Sequence, residues 1–325
     1  MDSKQTFAIV HANDIDGIGS AALIRKALGT PLENIFFNDY TSSSLDYIVK
    51  SVLQQLAGPK CTIVIADLSV NDSQIEKHVQ FLHSAKAKGC KVIWLDHHPW
   101  STSAIEKVAN MCDVAIVGEN KGNCAVDIVK KEFNLNDSIS ARIREIAHTS
   151  DFKLRCSGSI KSAVDAYGLA IAYYNILPQR TTYSKLRRVV SSICNGRIPG
   201  KEVISDAKYF KKMNAARIRK MLSDIRTFGV FAVGFSEPVV ANDACDAILK
   251  KSGKPVAVFV NTETGRVHMR SASIDLVPIA SAAGGGGHPY AAGFSVDIKK
   301  YESFKKESQK ELFIKKLKTY FASLP

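Results

Sequence analysis

Four short stretches collect side chains that hold metal ions or move protons. "HANDIDGIGSAAL", from His11 to Leu23, carries His11, Asp14 and Asp16; "IVIADLS" contains Asp67; "VIWLDHHPW" ends an apolar run on Asp96, His97 and His98; "AHTSDF" adds Asp151. Clustered carboxylates repel one another and need compensating cations. Oxygen donors with imidazole suit Mn²⁺ or Mg²⁺, and no cysteine lies in these stretches to make a thiolate zinc site. The set predicts two ions roughly 3.5–4 Å apart, an arrangement suited to hydrolysing phosphoryl esters.

The surrounding pattern supplies a scaffold for such a centre. Apolar runs at Phe7–His11, Asn34–Phe37, Thr62–Asp67, Val92–Asp96 and Val114–Val117 predict strands. Amphipathic segments at Ile18–Leu28, Leu45–Leu56, Ser73–Lys88, Asn123–Phe133 and Ser138–His148 predict helices between and after them. This alternation implies α/β architecture with a parallel, doubly wound sheet. Ligands of such sheets bind outside the carboxyl ends of the strands. His11, Asp67 and Asp96–His98 fall at three of those ends. Asp14 and Asp16 are expected in an extended turn, from which carboxylates two residues apart point into one site.

Further along, Asp151 to about Lys185 is expected to be mostly helical, and Glu202–Thr227 to form one long helix. A smaller α/β unit begins at Gly229, with strands in GVFAVGF, PVAVFVN and RVHMRS, a helix near Asp243–Lys251 and a Lys-rich helix over Tyr301–Phe321. The division expected is 1–195, a helical linker at 196–228, and 229–325. "SAAGGGGHPYAAGFSV" places Gly284, Gly285, Gly286, Gly287 and His288 in a run that neither helix nor strand favours. An anion nest of backbone N–H groups is expected there.

The chain has 325 residues, 46% of them hydrophobic, enough for two cores, and a formal net charge of +13. Such a charge favours a polyanionic partner. Seven cysteines, an odd number without a CxxC pair, are expected to be reduced, small buried residues of a cytoplasmic protein. The N-terminus lacks a secretory pattern, and no apolar run approaches the ~20 residues of a membrane span.

The quoted motifs, in this order, resemble those of the DHH phosphoesterase superfamily, in the branch with a DHH-associated C-terminal domain. That branch comprises RecJ-like exonucleases, nanoRNases and cyclic-dinucleotide phosphodiesterases. "GGGGHPYAAG" is similar to the signature of the associated domain. The resemblance implies that His11, Asp14 and Asp67 hold one Mn²⁺, and that Asp16, Asp67, His97 and Asp151 hold a second, with Mg²⁺ as the alternative metal. It implies that Asp96 orients a histidine, that His98 assists the leaving oxygen, and that Arg270 and Gly284–His288 grip the substrate's terminal nucleotide or phosphate. The expected function is hydrolysis of short single-stranded RNA or DNA to nucleoside 5′-monophosphates, without a membrane and with a dimer as one possible assembly. Hydrolysis of cyclic dinucleotides or of mononucleotides would use the same site. An inactive replication scaffold would not need the complete set of acids and histidines.

Overall fold

A computed structural model describes residues 5–38, 42–56, 61–118, 122–304 and 306–322. The chain divides into two compact units, residues 1–208 and 209–325. The first contains β1 (Gln5–His11), α1 (Ile15–Leu28), β2 (Ile35–Asn38), α2 (Ser42–Gln55), β3 (Cys61–Ala66), α3 (Ile75–Ala87), β4 (Lys91–Leu95), α4 (Thr102–Lys107) and β5 (Val114–Ile116). It continues through α5 (Ala125–Glu132), α6 (Ser138–Asp151), α7 (Gly158–Tyr174) and α8 (Gln179–Cys194) into α9 (Lys201–Leu222), within which the units meet.

The five strands pair in parallel in the order β2-β1-β3-β4-β5. Alternate residues enter different cores, because successive side chains of a strand point to opposite faces. Ala8, Val10, Val64, Ala66, Ile93 and Leu95 join one core with α1, α5, α6, α7 and α8. Phe7, Ile9, Ile63, Ile65, Val92 and Trp94 join the other with α2 and α3. Burial on both faces explains the continuously apolar runs. In this strand order the direction of winding reverses between β1 and β3, which opens a crevice at their carboxyl ends.

Helix α1 begins at Ile15, three residues earlier than the apolar pattern indicated. Asp14 is its N-cap and accepts a hydrogen bond from Gly17 N (3.0 Å). The expected extended turn is thus corrected: Asp14 is the extended cap residue, whereas Asp16 lies in the first helical turn. Gly17 permits this tight entry, since a Cβ there would fall 2.3 Å from His11 O. Helix α6 is capped similarly: Asp137 accepts from Ile139 N (3.0 Å) and Ser140 N (3.1 Å). Burial alone would raise the Asp137 carboxyl, but the Ser140 hydrogen bonds and Lys26 hold it down to about 2. Its contribution to stability is therefore present above the ordinary carboxylate pKa and disappears as pH falls through about 2. Asp137→Ala is expected to cost about 1 kcal/mol at neutral pH, measured by urea unfolding.

Cysteine pairing is a second correction. Cys61 starts β3 and Cys90 immediately precedes the adjoining β4, so the parallel register sets them side by side, with Cα atoms 4.6 Å apart, and they form a disulfide. Cys112, Cys124, Cys156, Cys194 and Cys245 are free.

The second unit holds β6 (Arg226–Phe228), β7 (Phe231–Ser236), α10 (Ala241–Ser252), β8 (Val256–Asn261), β9 (Arg266–Ser271), α11 (Val277–Ala282), β10 (Gly286–His288), β11 (Ala291–Ser295) and α12 (Glu307–Ala322). Its sheet runs β10-β11-β9-β8-β7-β6 and is mixed, with only β7 and β8 parallel. Arg226 and Thr227 belong to β6 and not to the preceding helix, because they pair with Val233 and Ala232 in a hairpin. The glycine run also differs from the expected nest. Gly284, with φ 77°, follows α11, and Gly286–His288 then form an edge strand against β11. Backbone pairing holds this strand, and glycine is needed where β11 approaches: a Cβ on Gly285 would meet Gly293 O at 2.1 Å. Among the described residues, no helix is long and apolar enough to cross a membrane.

Candidate metal centre

The carboxyl ends of β1, β3 and β4 bring the predicted acids and histidines together. His11 Nδ1 lies 3.0 Å from Asp14 Oδ2 and 3.5 Å from Asp67 Oδ2. His97 Nε2 lies 3.7 Å from Asp16 Oδ2, 3.6 Å from Asp67 Oδ1 and 3.8 Å from Asp151 Oδ2. Three groups, each with ligand atoms within 4.8 Å of one another, follow: His11 with Asp14 and Asp67, Asp16 with His97 and Asp151, and Asp67 with His97 and His98. Asp67 and His97 each belong to two of these groups.

Asp67 stands where β3 ends and the chain turns. Its φ is 57°, a left-handed conformation that aspartate tolerates better than most side chains. Its amide donates to Leu95 O (3.0 Å), and only 1% of the residue is exposed. Asp16 is equally enclosed and accepts from Ala125 N (2.7 Å) and Val126 N (2.8 Å) at the start of α5. Each carboxylate oxygen retains a second lone pair for another partner.

Electrostatics record the crowding. Burial, followed by the Asp67 charge, pushes the Asp16 carboxyl well up, and burial followed by Asp14 raises Asp67. Burial disfavours a charged His11, but Asp14 and Asp67 overcome it and raise the imidazole to about 10. Burial also opposes charge on His97, and the facing carboxylates, Asp67 foremost, raise it nevertheless. The buried His97 Nε2 makes no hydrogen bond among the described residues, although carboxylate oxygens surround it. Such an oxygen-rich, imidazole-containing set, with an imidazole nitrogen aimed among carboxylates, fits a divalent cation.

Asp96 is fully buried and holds His98 instead of His97. His98 Nδ1 donates to Asp96 Oδ1 (2.8 Å), while Trp100 Nε1 donates to Asp96 Oδ2 (2.8 Å). Trp100 packs edge-on against Trp94, whose Nε1 donates to Leu68 O (2.8 Å). The carboxylate is therefore fixed at both oxygens, and the Asp96 hydrogen bond is the main cause of the raised His98 pKa.

A neighbouring network was missed in the sequence. Asp127 accepts from Cys124 N (3.0 Å) and His148 Nδ1 (2.7 Å) and pairs with Arg144. These bonds tie α5, whose first amides donate to Asp16, to α6, which carries Asp151. Its members come from two helices, so no single stretch of sequence displays it.

In the second unit, Ala257, Arg270, Ala291 and His288 are opposite one another on consecutive strands. Directly paired residues share a sheet face, so Arg270 and His288 flank the small Ala291 on one face. Arg270 Nη2 donates to Asn242 Oδ1 (2.8 Å).

Residues 6–149 match the family model for the DHH family, N-terminal domain, and residues 228–322 match that for the DHHA1 domain. The chain belongs to the DHH superfamily of phosphoesterases, with a C-terminal DHHA1 domain. No curated protein matches it by sequence. Among solved structures, exonuclease RecJ bound to manganese superposes with a TM-score of 0.59 at 17% identity, covering 99% of this chain and 91% of that one. RecJ in complex with Mn²⁺ from Thermus thermophilus gives 0.57 at 17% identity, covering 99% of this chain but 53% of that one. The pGpG-specific phosphodiesterase PggH from Vibrio cholerae gives 0.50 at 10% identity, covering 95% and 99% respectively. At these identities the likeness concerns the fold.

Proposed function

We propose that this protein is a Mn²⁺- or Mg²⁺-dependent phosphodiesterase that hydrolyses short single-stranded RNA or DNA to nucleoside 5′-monophosphates. The observation that carries this reading is the chain of groups joined through Asp67 and His97 at the reversal point of the sheet. His11, Asp14 and Asp67 would hold one ion, and Asp16, Asp67, His97 and Asp151 the other. Bound divalent ions would supply an acidified attacking water and neutralise charge on phosphoryl oxygens. Asp96 keeps the His98 Nδ1–H engaged and leaves Nε2 for the departing oxygen. Arg270 and the Gly284–His288 segment would grip a phosphate away from the scissile bond, where bidentate guanidinium contact suits phosphate.

The test uses end-labelled RNA and DNA oligomers of graded length, beside pGpG and a cyclic dinucleotide, with Mn²⁺, Mg²⁺ or EDTA. Mononucleotide release from oligomers, abolished by EDTA, is expected. Exclusive hydrolysis of the cyclic substrate would transfer the assignment to that class, and full activity after exhaustive chelation would remove the metal mechanism. Arg270→Ala is expected to raise KM for a trinucleotide about tenfold or more, since charged hydrogen bonds are lost. Its metal content and its turnover of bis-p-nitrophenyl phosphate should stay near wild type. Loss of the metals would refute this division of labour.

A further inference from the structure

We propose that a cavity between the end of α8 and the start of α9 is a second phosphate-binding site, located in the first unit and separate from the metal centre. The direction of α8 places it. Near the start of that helix the Tyr183 hydroxyl donates to Phe37 O (2.6 Å), at the carboxyl end of β2. One turn later Arg187 donates to Ile35 O and Glu33 O (both 3.1 Å), at the beginning of the same strand. The helix therefore runs from the edge bearing His11 and Asp67 toward the opposite edge. The cavity lies along the second half of the helix, toward its far end.

The cavity has a volume of about 520 Å³, and Arg188, Arg197 and Lys201 line it together with the hydroxyl-bearing Ser191 and Ser192. Its one lining carboxylate, Glu202, is engaged by Lys185 Nζ at 2.8 Å and by Arg188 at 3.5 Å. Arg197 and Lys201 are exposed and have no ion-pair partner among the described residues. Lys201 also occupies the first position of α9, where the positive end of the helix dipole disfavours a cation. Arg188 shares Glu202 with Lys185, which leaves Arg197 and Lys201 on the same cavity with no acid to offset them and in need of an anion. An exposed charge run on a convex face would have no such need. Ser192 Oγ donates to Arg197 O (2.9 Å), which ties the connecting loop back to α8.

The size falls in the range of roughly 300–1,000 Å³ typical of small-molecule sites. Guanidinium groups, helped here by the Ser191 hydroxyl, recognise phosphate oxygens. The ligand class is thus a nucleotide phosphate, either that of a free nucleoside monophosphate or that of an oligonucleotide backbone. The binding itself does not depend on the proposed reaction, so it is measured without turnover.

The experiment is hydrogen–deuterium exchange of the full chain in EDTA, with inorganic phosphate, 5′-AMP or a phosphorothioate DNA octamer. At least one of these is expected to slow exchange across residues 188–203. Protection by 5′-AMP beyond that by phosphate assigns a free nucleotide, equal protection by the two assigns a free phosphate group, and protection by the octamer alone assigns a backbone phosphate. The double variant Arg197→Gln with Lys201→Gln should raise the apparent Kd for this protection at least about tenfold. Arg197→Glu with Lys201→Glu should abolish it, with thermal unfolding and metal content unchanged in both. Absence of protection by all three ligands, or equal protection in the variants, overturns the proposal. Failure of the nuclease reading would leave this result untouched, because no step of the assay requires hydrolysis.

Discussion

Asp67→Asn is expected to lower Mn²⁺-dependent turnover at least about 10³-fold, a change of several kcal/mol in transition-state stabilisation. The same carboxylate faces His11 on one side and His97 on the other, so it would serve both ions. Asparagine is the informative replacement. The residue sits at φ 57°, where alanine would add backbone strain and asparagine is tolerated. In metal-free protein the substitution also removes one of several crowded acids, since Asp14 contributes to the raised pKa of Asp67. The apoprotein should accordingly unfold at an equal or higher temperature than wild type, while metal analysis shows fewer bound ions. A variant that retains full metal stoichiometry and wild-type turnover would exclude Asp67 as the shared ligand.

Strand ends were the most legible part of the chain, because an uninterrupted apolar run can stop on an acid or histidine only where the sheet meets solvent or a ligand. His11, Asp67 and Asp96–His98 were located this way, and the structure brings them together. Where α1 begins was less legible. Asp14 and Asp16 are the same residue type two positions apart, and only the backbone shows that one caps the helix while the other belongs to its first turn. The glycine run was misjudged as a nest because propensity disfavours glycine in strands, whereas close pairing with β11 requires it. Cysteine arithmetic failed for Cys61 and Cys90 because their proximity arises from strand register and not from local spacing. The Asp127–Arg144–His148 network likewise joins two helices, and no window on either one reveals it.

His98→Ala is expected to reduce turnover of a trinucleotide by about 10²–10⁴-fold, the range for a positioned proton donor, while leaving metal binding largely intact. His97→Ala should do the reverse and lower metal affinity first. The difference follows from geometry: three carboxylate oxygens from Asp16, Asp67 and Asp151 surround His97 Nε2, whereas Asp96 occupies the Nδ1 of His98. The His98 side chain is also more exposed, at 36% against 13% for His97, as a group that meets substrate should be. Asp96→Asn tests the positioning role. It keeps the shape beside Trp100 but weakens the charge that favours the imidazolium, so turnover should fall about 10–100-fold without loss of metal. A substrate with a better leaving group should recover much of the His98→Ala defect, because it has less need of a proton. Equal defects on good and poor leaving groups, or metal loss from His98→Ala with normal binding in His97→Ala, would exchange the roles assigned to the two histidines.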